Sequence, residues 1–334
     1  MSGLRIDELT TTEELEALEP AWADLWSRAP AATPFQAPAW LIPWWRHIGG
    51  GRLRVLAARA GGRLVGLLPM FLQQAPEGEK LLPLGIAISD YLDALYEDGH
   101  GPEVAAAMLW HLAERHRDWH VCELHPLPAG SPLLEAPGTP EYASEALPFE
   151  PCLVVEIPPE AASLRHVLPK RMRKNLRYFG ARAARLGRIS FETATVASVP
   201  EMLDALFELH ATRWAREGRP GVLAGPAIRA FHDAAAPALL SAGLLRLYAL
   251  RLDGRIIAVL HAMHANRRAY CYMSGFDPDL AEISPGTLIL AHAVEQAIGE
   301  RAFEVDFLRG REPYKYFWGV RERPCYGRMI RRAR

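Results

Sequence analysis

The 334-residue chain lacks most of the short signatures that mark an enzyme class. It has no HExxH, no Cys–His cluster, no GKS/T loop and no GxGxxG, so metal and nucleotide-triphosphate readings find little support and no metal is expected. It has no GxSxG elbow, which removes the usual support for serine-hydrolase chemistry. Cysteine is scarce: four residues, at 122, 152, 271 and 325, with no CxxC among them. Cys122, Cys152 and Cys271 stand in or beside apolar strand-like runs, the pattern of reduced, buried thiols. No apolar run reaches the length needed to span a bilayer. The opening residues MSGLRIDELTTTEELEALEP hold no apolar core of the signal-peptide kind, so a cytoplasmic location is expected.

What is present is a 50% hydrophobic chain, enough for two cores. Net charge is only -1, but it is unevenly distributed. Residues 1–150 carry 10 Lys or Arg against 21 Asp or Glu, and residues 151–334 carry 28 against 18. The second half is therefore the place to look for an anionic ligand, and the two halves could attract each other.

Hydrophobic period and turn chemistry set out the elements. Residues 1–9 read as an edge strand, and Thr12 as the cap of a helix over 13–28 bearing Leu15, Leu18, Trp22 and Leu25. Pro34 and Pro38 lead into a short Trp-rich helix. RLRVLAARA and RLVGLLPMFLQQ form a hairpin about Gly61-Gly62. A helix opens at Gly101-Pro102, and WHVCELHPL is the next strand. Residues 126–150, rich in Pro, Gly, Glu and Ala, read as a surface excursion and crossover, which places a boundary near 150. The second half repeats this order: RLYALRLDGRIIAVLHAM matches the first hairpin, and FEVDFLRG matches WHVCELHPL. Two copies of one α/β unit are expected, over 1–150 and 151–334.

Chemistry concentrates between Leu244 and Trp318. Ser284, Pro285 and Gly286 open a helix over 285–298 whose bare N–H groups could receive a pyrophosphate, or could simply be an ordinary helix start. In the strand RRAYCYMSGFDPDL, Tyr270, Tyr272 and Ser274 share one face, and Cys271 and Met273 the other. Asp306 ends a strand, Arg309-Gly310 is a turn, and Glu312 and Lys315 follow three apart. Asp306 could orient or deprotonate a nucleophile. Arg309 or Lys315 could hold a phosphate or carboxylate, with structural ion pairs as the rival reading. Residues 161–190 contain no acid and nine Lys or Arg, a basic amphipathic helix suited to phosphates, nucleic acid, a membrane surface or an acidic domain. His210 and Trp214 share a helix face, His210 being a base or a packed histidine. His261 and His264 lie three apart in a strand, face opposite ways, and make a poor metal pair.

Six segments together cover most of residues 30–320: FQAPAWLIPWWRHIG, PKRMRKNLRYFGARAARLG, LHATRW, GRIIAVLHAMHANRRAYCYMSGFDP, SPGTLILAHAVEQAI and FEVDFLRGREPYKYFWG. In their order and spacing the chain resembles the GNAT acyltransferase superfamily. More narrowly it resembles the branch associated with the bacterial cellulose-biosynthesis protein CelD, akin to twin-GNAT Fem aminoacyl transferases. The resemblance implies an α/β fold of two tandem GNAT-like domains, each a mixed, mostly antiparallel sheet flanked by helices. It implies acetyl-CoA or another acyl-CoA as donor, held by the second domain, with the first degenerate or acceptor-side. Pantetheine would follow Met273, Ser274 and Gly275, and pyrophosphate would meet Ser284, Gly286 and Thr287. The family's usual Arg/Gln-x-x-Gly-x-Gly/Ala loop is replaced here by EISPGT, which keeps only Gly286.

The expected reaction is direct transfer from a thioester to an amine or hydroxyl. Backbone N–H groups near 273–275 would stabilise the oxyanion, Asp306 or Glu312 would take the acceptor proton, and Tyr272 would protonate the leaving thiolate. A small-molecule or saccharide acceptor is expected. Aminoacyl-tRNA as donor, and a catalytically degenerate accessory role in polysaccharide biosynthesis, are the alternatives.

Overall fold

The computed structural model describes residues 3–216, 218, 219 and 221–332. It divides into two compact units, Met1–Glu150 with Arg323–Arg334, and Pro151–Glu322.

The first unit opens with β1 (Leu4–Leu9), α1 (Thr12–Ala17), α2 (Glu19–Arg28) and α3 (Pro38–His47). The helix expected over 13–28 is two helices, and its cap is Thr11 in place of Thr12. Thr11, unlike Thr12, has a Glu three residues on: Thr11 Oγ1 accepts from Glu14 N at 3.2 Å, and Glu14 Oε2 accepts from Thr11 N at 3.1 Å. The break falls at Leu18, because Pro20 brings no N–H to continue the ladder. The tryptophans then pin the irregular 29–37 segment: Trp22 Nε1 donates to Gln36 O and Trp26 Nε1 to Thr33 O.

β2 (Arg52–Ala60), β3 (Arg63–Ala75) and β4 (Gly78–Pro83) form an antiparallel meander, with β5 (Leu95–Tyr96) beside β3. α4 (Gly101–Arg115) crosses to β6 (Val121–Pro128), which lies parallel to β4. After the short α5 (Pro132–Glu135), β7 (Tyr142–Glu156) carries the chain into the second unit. The residues expected as a crossover, 142–150, are therefore the exposed start of a strand.

In the second unit, α6 (Leu164–Val167) and α7 (Lys170–Leu186) precede β8 (Ile189–Thr193), α8 (Val199–Arg216) and α9 (Pro226–Ser241). β9 (Leu245–Leu252), β10 (Arg255–Ala265) and β11 (Arg268–Phe276) form the second meander. α10 (Pro285–Gly299) crosses to β12 (Glu304–Arg309), parallel to β11, followed by α11 (Pro313–Tyr316) and β13 (Arg321–Arg332). The strand order within this unit is β7-β12-β11-β10-β9-β8.

The two units repeat one plan. Each hairpin turns on two positive-φ residues, Gly61-Gly62 and Asp253-Gly254, and each has a register shift just beyond the turn. The twist of such turns matches that of the flanking strands. The expectation of strictly tandem sheets needs a correction. β13, at the end of the sequence, pairs with β6 of the first unit, whereas β7, leaving the first half, pairs with β12 of the second. The mixed, largely antiparallel sheet architecture is thus interleaved along the chain. In the second unit, α7 and α10 cover one face through Met172, Ala183, Ile289, Val294 and Ile298. Among the described residues no helix is long and apolar enough to cross a membrane.

Candidate functional site

β11 and β12 pair over three positions only: Arg268 with Glu304, Ala269 with Val305, and Tyr270 with Asp306. Past that point both strands are bulged. The register of β10 with β11 passes from His261–Met273 to Ala262–Cys271, which leaves Tyr272 as the extra residue. The register of β12 with β7 passes from Asp306–Val154 to Arg309–Cys152, and Leu308 sits at φ 60°. Asp306 holds that bend, its Oδ1 accepting the Leu308 N–H at 2.7 Å. Its side chain is completely buried. Among the described residues no strand pairs with β11 on the β12 side beyond Tyr270. The bulge also alters the alternation expected of this strand, because one inserted residue shifts every later side chain across the sheet. Cys271 and Phe276, an odd and an even position, both pack with the α7–α10 core.

Tyr272, Met273 and Ser274 are half-buried. Tyr272 lies against two histidines on the α9 side, with ring centroids 5.3 Å from His261 and 5.9 Å from His232. Both are buried, and burial pulls His232 down to about 4 and His261 down to about 3, so both are neutral at physiological pH. His264, on the other face as expected, bonds Glu300 at 2.6 Å. Cys271 is pushed up to about 12 by burial first and then by Asp306, with Lys315 opposing. It is an inert thiol.

Gly275 sets how closely α8 can approach. A Cβ there would lie 2.8 Å from the Leu206 carbonyl oxygen and 3.0 Å from His210 N. His210 itself is buried and pulled down to about 4, by burial first and then by Arg213. Its ring centroid lies 5.9 Å from that of Trp214, and a Cβ on Gly221 would come within 2.6 Å of its Cε1. It is a packed imidazole at the back of the strand. One turn on, Arg213 stacks 5.0 Å from the Phe276 ring centroid, and that ring lies against Gly286. A cation is thereby brought to the start of α10. Arg213 belongs to no chemical motif of its own; its position inside LHATRW, one turn after His210, is the only sequence signal for it.

At the start of α10, Ser284 is left-handed, at φ 47° and ψ 63°, and its side chain does not cap the helix. Its hydroxyl meets Thr287 Oγ1 at 2.8 Å, while its carbonyl accepts from Thr287 and Leu288. Pro285 has no N–H, so Gly286 supplies the first available donor of the turn.

Lys315 is almost fully buried. Its Nζ bonds the carbonyls of Leu308 (3.3 Å), Arg309 (2.7 Å) and Gly310 (3.4 Å) and pairs with Glu312 at 2.9 Å. All three of its protons are engaged, so it braces the turn after β12 and has no donor left for a phosphate. Gly310, at φ 112°, leaves room for the Glu312 carboxylate, which a Cβ would meet at 2.5 Å. Glu312 is half exposed, at 52% of its side chain, and Arg309 is half-buried at the end of β12. Tyr314 stands exposed on the same rim, within electrostatic reach of Glu312, Cys271 and Arg213.

α7 supplies the charge. Lys170, Arg171, Lys174, Arg177 and Arg185 are exposed and have no carboxylate partner among the described residues. Arg182 pairs with Glu282, and Arg171 stacks on Phe317 beyond α11. The structure thus gathers Asp306, Glu312, Arg309 and Lys315 at β12, and Tyr272 to Gly275 with Ser284, Gly286 and Thr287 at the other wall. His210 packs behind them.

A family model described as an acetyltransferase (GNAT) domain matches residues 170–316, from α7 through α11. No curated protein sequence matches the chain. Among solved structures, FemX superposes at a TM-score of 0.68 with 12% identity, covering 98% of this chain and 97% of its own. The C-terminal (DUF2156) domain assigned to a lysylphosphatidylglycerol synthetase from Agrobacterium fabrum gives 0.62 with 14% identity, covering 96% and 92%. L-PGS from Bacillus licheniformis gives 0.58 with 12% identity, covering 95% and 90%. The fold is GNAT-like, and the likeness to FemX extends over 98% of the chain.

Proposed function

We propose that the chain transfers an acyl group to an amine or hydroxyl where β11 and β12 part, and that its preferred donor is an aminoacyl ester carried on tRNA. The observation behind this reading is the termination of the parallel pair at Tyr270–Asp306, which leaves the bulged edge of β11 beside a charged rim. The acceptor attacks the ester carbonyl, and N–H groups of the 272–275 edge receive the developing oxyanion. The half-exposed Glu312 takes the acceptor proton, directly or through water. Tyr272, held by its two neutral histidines, gives a proton to the departing oxygen. Asp306 acts by holding the bend of β12. Amide or ester and free tRNA are the products.

The unpaired charges of α7 favour tRNA as the donor. End-to-end likeness to FemX, and to a protein named for lysylphosphatidylglycerol, itself an aminoacyl ester, points the same way. The donor is tested by binding bulk bacterial tRNA at rising salt. Affinity should fall steeply with salt and be lost when Lys170, Arg171, Lys174 and Arg177 are changed to Glu. Absence of binding at low salt would exclude tRNA. Acyl-CoA is the second reading, favoured by the acetyltransferase-domain match and by the Arg213–Phe276–Gly286 stack at the start of α10. Isothermal titration with acetyl-CoA, a longer acyl-CoA and CoA distinguishes it. A saccharide or small amine acceptor fits either donor, and the second unit is the half proposed to carry the site.

A further inference from the structure

The first unit contains a second, separate cluster of chemically competent side chains. Glu8 on β1, His111 in the last turns of α4 and His116 just past its end turn one atom each toward a common point, all within 4.8 Å of one another. His116 Nε2 lies 2.6 Å and His111 Nε2 3.5 Å from the same oxygen, Glu8 Oε2. The chain leaves the helix at His116, at φ -124° and ψ 114°, and this turns the second imidazole back beside the first, with ring centroids 5.8 Å apart. Had the helix continued, residues five apart would not share a face.

Two further features bear on what this cluster can hold. Glu8 is oriented from behind: its other oxygen, Oε1, accepts from Arg54 Nε at 3.1 Å, so Oε2 is the one turned to the imidazoles. The Arg54 charge is itself balanced by a bidentate pair with Asp118, at 2.7 and 2.9 Å. An outer partner that fixes a ligating carboxylate is the usual support of a metal site. The second feature is His111 Nε2, a buried ring nitrogen with no hydrogen-bond partner even though it faces Glu8. A buried polar atom left in this state lacks the partner that most such atoms have. His111 also lines an open surface cleft together with Trp110, Arg115, Pro137 and Thr139, which gives an entry path.

We infer that Glu8, His111 and His116 form a binding site for a divalent transition-metal ion of the zinc class, bridging β1 to the end of α4. Two imidazoles and one carboxylate are a set that zinc accepts, leaving a fourth position for water. Tetrahedral ligands at zinc–ligand lengths sit about 3.3 Å apart, so side-chain shifts of under about 1 Å would complete the site. A metal held here needs the Nε2 lone pair of each imidazole, so His116 would exchange its 2.6 Å contact with Glu8 Oε2 for the ion. No local sequence signal marks such a site. His111 and His116 are five apart, a spacing that no helical metal motif uses, and Glu8 lies over a hundred residues away.

The test is equilibrium dialysis of the full chain, stripped with EDTA, against zinc and against cobalt(II). One equivalent per chain is expected, with a cobalt visible spectrum of four-coordinate intensity that zinc abolishes. Affinity should fall at least about tenfold in His111→Ala and in His116→Ala, about 1.4 kcal/mol or more. Zinc should raise the melting temperature of the native chain but not of the double variant. Apo melting curves establish that the variants are folded. If they are not, the cobalt spectrum of the unaltered chain decides: weak six-coordinate bands, like those of the free ion, would overturn the proposal. So would the absence of bound metal, or affinity unchanged in the folded double variant.

Discussion

Tyr270 and Asp306 are the last register partners of β11 and β12, and everything distinctive about the second unit follows from the parting of these strands. Asp306 makes the parting possible by accepting the Leu308 N–H at the bend. Asp306→Ala leaves that buried donor without its acceptor and should cost about 1–3 kcal/mol of stability. Asp306→Asn, which retains a carbonyl oxygen, should cost less. Urea unfolding of the two variants against the native chain measures the difference, and equal costs would mean that the bend is held by other contacts.

The turn after β12 depends on a buried ammonium. Lys315→Met removes a cation that meets three carbonyls and leaves Glu312 without its partner; because Glu312 stays half in water, the loss is that of the orphaned carbonyls, about 1–3 kcal/mol. Glu312→Gln should cost less, since half of that side chain already faces water. Chemical denaturation at two salt concentrations checks both, the half-exposed pair being the more sensitive to screening.

Three buried histidines make the second unit acid-labile. His210, His232 and His261 all have folded-state values pulled down, to about 4, about 4 and about 3. Above the ordinary histidine range neither the folded nor the unfolded chain carries these protons, so there is no contribution. Below about pH 6.5 the unfolded chain takes up protons that the folded chain refuses, and stability falls with pH by up to about 1.4 kcal/mol per unit for each histidine. The loss stops growing only below the folded values. Between pH 6.5 and 5 the variant His261→Phe should lose about 1–2 kcal/mol less than the native chain. Parallel pH profiles would contradict the burial argument.

Much of the second unit was legible in the sequence because its signals are local. Asp253-Gly254 between apolar runs, Pro285 at the start of a helix and Arg309-Gly310 after a strand each specify their own geometry. The capping error at Thr12 was also local: the Glu three residues on selects Thr11. What could not be read depends on distant partners. The bulge at Tyr272 is visible only against β10, and Gly275 appears as a bare strand residue until α8 is laid across it. β13 returns to β6 through pairing about two hundred residues apart in sequence. Lys315 looked like a phosphate ligand because nothing in its neighbours shows that three carbonyls will surround it.

The most direct test of the transfer site is single-turnover loss of the aminoacyl ester from a charged tRNA mixture, with and without an added amine acceptor, alongside thioester loss from acetyl-CoA. The native chain should accelerate ester loss only when acceptor is present. Glu312→Gln should slow it by about 10²-fold or more, within the range for a general base, while tRNA binding and the melting curve stay close to native. Equal rates for Glu312→Gln and the native chain, or rapid thioester loss with the tRNA ester untouched, would contradict this reading.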